Sequence, residues 1–309
     1  MVIGSRGSAL ALWQARYVAA RLESLGVETR IEIIRTTGDK IQDVPLAKVG
    51  GKGLFTKEIE EALLAGGIDL AVHSMKDVPA ELPAGLTLAA IPEREDPRDA
   101  IVGAPLIAEK ERTAKKIGTS SLRRAAQLRA LRGDVEIETL RGNVDTRLRK
   151  LDEGRYDAIV LAAAGLRRLG WEDRIREWIP VEIMCPAPGQ GALAIETRVT
   201  GEAREIARRL DHAETRRAVE AERAFVAILG GGCQLPIGAY AVLEGGAIHL
   251  RAVVASPDGS RLITGEQRGT DPSRVGSELG ARLLNQGARE ILDQVSLQEL
   301  AAQRSPARP

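Results

Sequence analysis

A polar stretch at residues 118–124, GTSSLRR, has the residue types of an anion-binding site. Thr119, Ser120 and Ser121 offer hydroxyl and backbone N–H donors where a helix is expected to begin, and helix N-termini attract negative charge. Arg123 and Arg124 follow at once, and a guanidinium group binds a carboxylate or phosphate through paired hydrogen bonds. An ordinary helix cap followed by surface arginines has the same pattern. Three hydroxyls and two arginines together favour the anion site.

A second candidate is the segment HSMKDVP, which places Lys76 beside Asp77 at the expected end of a buried strand. Lys76 could bind an acidic group, and the Asp77 carboxylate could hold or donate a proton. Taken alone, the two neighbours are equally well interpreted as an exposed ion pair in a turn.

The chain has two cysteines, too few for a disulfide framework. Cys233 lies in GGGCQLPIG, a glycine-flanked loop in which its sulfur could be reached by a reagent. The loop follows an expected helix C-terminus, where partial negative charge disfavours the thiolate. Such a thiol suits one reaction with a strong electrophile better than repeated catalysis; the other interpretation is a small buried core residue. Cys185 is predicted to be a core residue of that kind.

Charge is balanced over the whole chain but concentrated in one segment. The net charge is +1, which excludes a general polyelectrolyte binder. From Arg112 to Lys150, however, eleven basic and four acidic side chains leave a local charge of +7. Most of these cations are arginines, so the segment predicts an anionic ligand with several negative groups.

The elements that must position these residues occur in two similar series of strand, polar turn, helix, strand, helix and strand. The series that begins at VIGSRGSALALWQA resembles the one that begins at KIGTSSLRRAAQL. Two such βαβ series predict two related α/β lobes, and ligands of such sheets bind beyond the carboxyl ends of the strands. The polar turns expected at those ends are Arg6–Ser8, Ser74–Asp77, Thr119–Arg124 and Arg141–Asn143. Ser8 is predicted to cap a helix that runs to about Leu25.

Two stretches rich in proline, residues 92–99 and 185–192, are predicted to cross between the lobes, and a strand at 193–196 is predicted to rejoin the first sheet. Alternating strands with turns at Gly245-Gly246 and Asp258-Gly259 indicate a separate small domain. The predicted fold is therefore α/β, with two hinged periplasmic-binding-protein-like lobes of mostly parallel sheets plus a small C-terminal α+β domain. The predicted domains are 1–92 with 190–209, 93–189, and 210–309.

Other features restrict the class of protein. No apolar run is long enough to span a bilayer, and the N-terminus lacks the apolar core of a signal peptide, so a cytoplasmic location is expected. The scattered histidines and cysteines show no zinc-ligand spacing. The loop AKVGGKGLF, which contains Lys52, lacks the P-loop spacing and is predicted to be a mobile lid or an irregular surface loop.

The motifs, taken in order over almost the whole chain, resemble the hydroxymethylbilane synthase (porphobilinogen deaminase) family. Those that carry the resemblance are SRGSALALWQA, TTGDKIQDVPLAKVGGKGLFTKEIE, DLAVHSMKDVP, EREDPRDA, IGTSSLRRAAQL, LRGNVDTRL, YDAIVLAAAGLRRLG, PAPGQGAL and GGGCQLPIGAYA. The resemblance implies a transferase of tetrapyrrole biosynthesis, which joins four porphobilinogen molecules head to tail with loss of ammonia. It then releases linear hydroxymethylbilane by hydrolysis. It also implies a covalent dipyrromethane cofactor that primes the chain.

The resemblance also implies roles for individual residues. Asp77 is the catalytic carboxylate, which contacts pyrrole N–H groups and stabilises cationic azafulvene intermediates, and Cys233 holds the cofactor through a thioether. The further residues assigned to the cofactor are Lys76, Thr119, Ser120, Ser121, Arg123 and Arg124. Those assigned to the substrate path are Arg6, Ser8, Gln14, Lys52, Arg141, Arg147, Arg168 and Gln190. Because each pyrrole unit carries two carboxylates, an arginine-rich cleft suits this ligand.

Two other functions were compared with this one. A solute receptor shares the two-lobed plan, but an export signal is missing and a third domain is present. A nucleic-acid binder would use the +7 segment, but aromatic residues make up 3% of the chain and leave few surfaces on which bases could stack. The expected partners are therefore porphobilinogen and linear polypyrroles, without nucleic acid or membrane, and a monomer is expected.

Overall fold

The computed structural model describes residues 1–40, 56–108, 113–231 and 235–304. Within this part of the chain, the strands form two five-stranded sheets and one three-stranded sheet. Each sheet packs its helices over hydrophobic cores of its own. We call the two large sheets with their helices the first and second lobes.

The sheet of the first lobe consists of Val2–Ser5 (β1), Arg30–Ile33 (β2), Leu70–Ser74 (β3), Leu86–Ala90 (β4) and Leu193–Arg198 (β10). Its order is β2–β1–β3–β10–β4, and β10 alone runs antiparallel to its neighbours. The helices of this lobe are Ala9–Glu23 (α1), Thr37–Lys40 (α2), Lys57–Leu64 (α3) and Glu202–Arg208 (α7). The return of the chain to the first sheet, predicted for residues 193–196, is confirmed by β10.

The sheet of the second lobe consists of Asp99–Gly103 (β5), Lys116–Gly118 (β6), Glu136–Glu138 (β7), Ala158–Ala162 (β8) and Ile175–Ile179 (β9). Its order is β7–β6–β8–β5–β9, and here β5 is the antiparallel strand. The helices of this lobe are Leu122–Leu131 (α4), Val144–Asp152 (α5) and Ala163–Arg168 (α6). Four strands of each large sheet thus share one direction.

Local sequence explains how α1 begins and ends. The Ser8 side chain accepts a hydrogen bond from the backbone N–H of Ala11, which is the cap predicted from the sequence. Apolar residues recur every three or four positions, so that Ala15, Val18 and Leu22 are buried against the sheet. The helix ends at Glu23, two residues earlier than predicted, because the chain turns before Gly26, whose φ of 82° few other residues adopt.

The C-terminal domain is a three-stranded meander covered by helices. Its elements are Ala213–Ile228 (α8), Ile237–Glu244 (β11), Ala247–Ala255 (β12), Leu262–Gly269 (β13), Pro272–Leu283 (α9) and Arg289–Arg304 (α10). Both hairpins are antiparallel, and the glycine pair 245–246 and the Asp258-Gly259 pair lie in their turns as predicted. Phe225 of α8 is fully buried between the sheet and α9.

One buried carboxylate, that of Glu222 on α8, joins the C-terminal domain to both crossings. Its Oε1 accepts hydrogen bonds from Arg94 Nη1 at 2.6 Å and from the backbone N–H of Ala241 at 2.7 Å. Its Oε2 accepts one from the backbone N–H of Gly189 at 2.6 Å. Arg94 belongs to the first crossing and Gly189 to the second, so three chain segments meet at Glu222. We call this group the Glu222 junction.

The neighbouring Arg223 reaches the first lobe. Its Nη2 donates to the carbonyl oxygens of Pro79 and Ala80 at 2.7 and 2.9 Å. These two residues follow Asp77 closely in the chain. The predicted fold class, two α/β lobes with a small C-terminal α+β domain, is confirmed. The domain boundaries at 92, 189 and 209 stay predictions.

Candidate functional site

The first lobe presents two of the predicted polar turns side by side. Arg6 follows β1, and a short 3-10 turn, Met75–Asp77, follows β3. The strands β1 and β3 are parallel neighbours, so both turns lie at the same edge of the sheet. Gln14 Nε2 on α1 donates a hydrogen bond to Ser74 Oγ at 2.8 Å, which fixes α1 to the strand end that carries Asp77.

Asp77 and Lys76 differ in their surroundings although they are adjacent. The Asp77 side chain is exposed, whereas Lys76 is only partly exposed and closely surrounded by protein. Burial lowers the pKa of Lys76 to about 8, an effect that Asp77 partly opposes and that Arg124 increases. These influences show that Lys76 of the first lobe lies close to Arg123 and Arg124 of the second.

The hydroxyl groups of Thr119, Ser120 and Ser121 all have local partners. Ser121 Oγ caps α4 by accepting from the backbone N–H of Arg124 at 3.4 Å. Ser120 Oγ donates to the carbonyl of Leu140 at 2.6 Å, and Thr119 Oγ1 accepts from the backbone N–H of Ser121 at 3.2 Å. The predicted helix cap is confirmed, and these bonds hold the turn that starts α4.

Arg123 and Arg124 are buried rather than extended into solvent, with 3% and 5% of their surface exposed. Both pair with Asp99, the first residue of β5, which is fully buried. Burial alone would raise the pKa of Asp99, but the two arginines outweigh it and hold the pKa well below its usual range. Asp99 was not among the site residues predicted from the sequence. In the sequence, Asp99 is one of several acids in EREDPRDA, a segment that was interpreted as a crossing between the lobes.

One nitrogen of the Arg123 guanidinium, Nε, has no hydrogen-bond partner in the described part of the chain. The hydrogen bonds of Arg123 leave from Nη1, to Asp99 Oδ2 and to the carbonyl of Cys185, both at 2.7 Å. Its Nε is buried without a partner among the described residues. An unpaired buried donor is costly unless a ligand satisfies it. Arg123 thus fits a carboxylate ligand, which would accept from the Nε edge.

Arg147 joins the same group, and Arg141 lies close to it. Arg147 Nε donates to the carbonyl of Gly142 at 2.8 Å. Burial, together with the charges of Arg124 and Arg141, lowers the pKa of Arg147 to about 10, and Asp77 partly opposes this effect. The structure therefore brings Lys76, Asp77, Arg123, Arg124, Arg141 and Arg147 into one electrostatic cluster between the lobes, which we call the central cluster.

Arg168 and Gln190 lie at the contacts between the lobes. The guanidinium carbon of Arg168 is 5.8 Å from the centre of the Trp13 ring on α1, and Arg168 Nη2 donates to the carbonyl of Gly191 at 2.6 Å. Burial lowers the pKa of Arg168 to about 10. Gln190 Nε2 donates to the carbonyl of Pro97 at 2.7 Å and to Asp99 Oδ1 at 3.0 Å. Trp13 was not predicted from the sequence, because its contact with Arg168 joins distant parts of the chain.

Of the two cysteines, the structure describes Cys185 but not Cys233. Cys185 is buried, as predicted, and burial raises the pKa of its thiol to about 12, so it is a poor nucleophile. Cys233 and Lys52 lie outside the described residues, as does the predicted lid loop. In the described part of the chain, no group of three or more His, Cys, Asp or Glu side chains could hold a metal ion. No described helix is long and apolar enough to cross a membrane.

The fold and the central cluster define a two-lobed α/β protein that can bind a ligand with several carboxylates and offers it one exposed carboxylate of its own, Asp77. The family model described as porphobilinogen deaminase, dipyromethane cofactor binding domain, matches residues 1–205, and the C-terminal domain model of that family matches residues 216–285. The chain belongs to the porphobilinogen deaminase family.

Relatives over nearly the whole chain agree with this. A porphobilinogen deaminase of Syntrophobacter fumaroxidans is 52% identical over 95% of this chain and 97% of its own length. One of Geobacillus kaustophilus is 51% identical over 96% of this chain and 97% of its own length. Among solved structures, a TRAP periplasmic solute binding protein from Pseudomonas putida F1 is 9% identical, with a TM-score of 0.39 over 72% of this chain and 79% of that one. So low a similarity supports no conclusion on function.

The family match confirms several predictions from the sequence: the family, the transferase class, tetrapyrrole biosynthesis and the dipyrromethane cofactor. The attachment of the cofactor to Cys233 and the roles of the individual site residues stay predictions.

Proposed function

We propose that this chain joins four porphobilinogen molecules head to tail, releases ammonia at each step, and frees hydroxymethylbilane by hydrolysis. The observation that carries the proposal is the central cluster, in which the exposed Asp77 and its neighbour Lys76 lie within electrostatic reach of arginines of the second lobe. Asp77 influences Arg147, and Lys76 is influenced by the buried Arg123 and Arg124. A growing polypyrrole is strongly anionic, and buried guanidinium groups bind carboxylates through short, directed hydrogen bonds.

The dipyrromethane cofactor would be held by a thioether to Cys233, and its acetate and propionate groups by Lys76, Ser121, Arg123 and Arg124. The unpaired Nε of Arg123 supports this fit, because a cofactor carboxylate would satisfy it. Thr119 and Ser120 hold the turn that presents these groups. When bound, the cofactor supplies the first two pyrrole rings, to which further units are added.

The incoming porphobilinogen would be bound by the remaining cations. We assign Arg6, Ser8, Arg141, Arg147 and Arg168 to its path, with Gln14, Lys52 and Gln190 as further contacts. The position of Arg147 in the central cluster supports its role most directly, since its charge and that of Asp77 influence each other.

Asp77 would act on charge as it develops. In the reaction, the bond between the methylene carbon and the amino nitrogen of porphobilinogen breaks, and ammonia leaves with the electron pair. Positive charge develops on the pyrrole nitrogen, whose N–H donates to the Asp77 carboxylate. The bound chain would supply the free α-carbon that takes up the methylene carbon, and this α-carbon would give up its proton. A fixed carboxylate beside the developing cation lowers the barrier.

An intact-mass measurement under denaturing conditions tests the attachment. The wild-type chain should exceed its sequence mass by two porphobilinogens less two ammonias. Cys233→Ala should lack this excess, and Cys185→Ala, the matched control with a buried thiol, should keep it. If the bare chain mass persists in the wild type after incubation with porphobilinogen, the proposed function is wrong. If the excess persists in Cys233→Ala, the attachment site is wrong.

We further propose that the chain acts as a monomer in the cytoplasm and without nucleic acid. The net charge of +1, the 3% of aromatic residues and the two cysteines support this. Sedimentation equilibrium of the holoenzyme should give the mass of one chain. A salt-sensitive mobility shift of RNA or DNA would contradict the proposal.

A further inference from the structure

Asp99 binds both of the arginines that we propose as contacts of the cofactor. Its Oδ1 accepts from Arg124 Nε at 2.9 Å and from Arg124 Nη2 at 2.8 Å. Its Oδ2 accepts from Arg123 Nη1 at 2.7 Å. Asp99 itself is fully buried at the start of β5, so it has no surface of its own to offer a ligand.

These bonds decide which edges of the two guanidinium groups remain open. The Nε–Nη2 edge of Arg124 is occupied by Asp99, and its Nη1 donates to the carbonyl of Val160 at 3.0 Å. Among the residues that the structure describes, Arg123 is bound through Nη1 alone, so its Nε edge stays open to a ligand. One acid between two cations also leaves the group with a net charge of +1 instead of +2.

Asp99 is in turn fixed to both crossings between the lobes. Gln190 of the second crossing donates to Asp99 Oδ1 at 3.0 Å, and through the same nitrogen to Pro97 of the first crossing at 2.7 Å. The orientation of the two arginines is therefore set relative to the segments that join the lobes.

We propose that Asp99 is a positioning residue for cofactor assembly. It turns the open edge of Arg123 toward a cofactor carboxylate, and it keeps the two like charges of Arg123 and Arg124 close together in the protein interior. The inference rests on the proposed function, because it takes Arg123 to be a cofactor contact. Asp99 touches neither cofactor nor substrate and acts through the arginines.

The test compares Asp99→Asn with Asp134→Asn. Asp134 also pairs with two cations of the second lobe, Arg132 and Lys115, but has no bond to the central cluster. Apoprotein of each variant is incubated with porphobilinogen, and the covalent dipyrromethane is followed by intact mass. Asp99→Asn should load at least about tenfold more slowly, the loss expected when a charge-assisted hydrogen bond is misplaced. Asp134→Asn should load like the wild type.

The salt dependence separates positioning from mere structural support. Asp99→Asn leaves one more uncompensated positive charge, so its loading rate should fall more steeply with ionic strength than that of the wild type. A variant with a lower melting temperature but a wild-type loading rate and salt dependence would overturn the inference.

A double-mutant cycle with Arg123→Gln identifies the route of the effect. If Asp99 acts through Arg123, Asp99→Asn should change loading little once Arg123 is replaced; additive losses would overturn the inference while Arg123 remains a cofactor contact. Wild-type loading of Arg123→Gln itself would instead contradict the proposed role of Arg123.

If Asp99→Asn alone does not fold, the pair Asp99→Asn/Arg124→Gln, which removes one charge of each sign, is compared with Arg124→Gln. Slower loading of the pair supports the inference, and equal loading overturns it.

Discussion

The two lobes share one strand order and differ in the side chains that their corresponding strands and turns carry. Each has a single antiparallel strand that enters its sheet directly after a crossing, β10 in the first lobe and β5 in the second. Each of these strands carries a fully buried acid, Glu196 or Asp99. Glu196 Oε2 lies 2.9 Å from His73 Nε2, whereas Asp99 pairs with two arginines.

The difference is greatest after the third strand of each series. In the first lobe, β3 leads into the 3-10 turn that exposes Asp77. In the second lobe, β8 leads directly into α6, whose first residues, Ala163 and Ala164, are buried. Under the proposed function, similar scaffolds would have separate tasks: the first lobe would supply the carboxylate that acts on the reacting pyrrole, and the second would supply the buried cations that hold carboxylates.

The largest expected effect comes from removing the negative charge of Asp77, the exposed acid of the first lobe. Asp77→Asn should lower kcat by about 10³-fold, comparable to the loss of a preorganised group that stabilises transition-state charge. Because Asp77 is exposed, the melting temperature should stay the same. Asp145→Asn, an exposed acid of the second lobe, is the control and should retain full turnover. Rapid-quench measurement of one addition checks this, and near-normal turnover of Asp77→Asn would remove the proposed division of tasks.

The buried acid of the first lobe should matter for stability rather than for cofactor loading. Glu196→Gln removes the charge beside His73 and should reduce the free energy of unfolding by about 2–4 kcal/mol, because the remaining polar groups stay buried. Urea denaturation checks the value, and intact mass checks loading. A loading defect as large as that of Asp99→Asn would mean that the two buried acids have the same role.

The pH dependence of binding tests the cation that the first lobe contributes. Since the pKa of Lys76 is lowered to about 8, its charge is lost as the pH rises through that value. The rate at which the apoprotein loads with cofactor should therefore fall above pH 8, by up to about tenfold, the loss of one charge-assisted bond, and Lys76→Gln should abolish this fall. The effect on folding stability has the opposite sign. Between about pH 8 and the ordinary pKa of 10.5, the unfolded chain binds the Lys76 proton more tightly than the folded chain does, so this group adds stability as the pH rises. A loading rate that stays constant from pH 7 to 9 would exclude Lys76 as a contact of the cofactor carboxylates.

The smallest expected effect concerns Cys185, whose carbonyl accepts from Arg123 while its thiol is buried. Cys185→Ala keeps that carbonyl and should cost about 1 kcal/mol of stability through the lost sulfur contacts. Loading with cofactor should be unchanged. Thermal unfolding measures the first value; a loss of loading would show that the second lobe depends on the side chain as well as on the backbone at this position.

Local signals made much of the fold predictable. Ser8 and Ser121 cap their helices as expected, the two hairpin turns lie where glycine pairs or Asp-Gly indicate them, and β10 rejoins the first sheet. The central cluster was predictable only as a set of residues, from motif resemblance. The pairing of Asp99 with residues 24 and 25 positions away depends on how β5 lies beside β8, which no local pattern encodes. The contact of Arg168 with Trp13 joins two lobes and escaped prediction for the same reason.

The Glu222 junction has a consequence for how such a protein can be recombined. If the C-terminal part of the chain were exchanged for one without an acid at this place, the guanidinium of Arg94 would remain in the interior without its partner. An unpaired buried charge costs about 3–5 kcal/mol, a large part of the stability of an ordinary domain. Although the family models divide the chain in two, the halves are therefore not interchangeable modules, and a functional chimera must inherit Arg94 and Glu222 together.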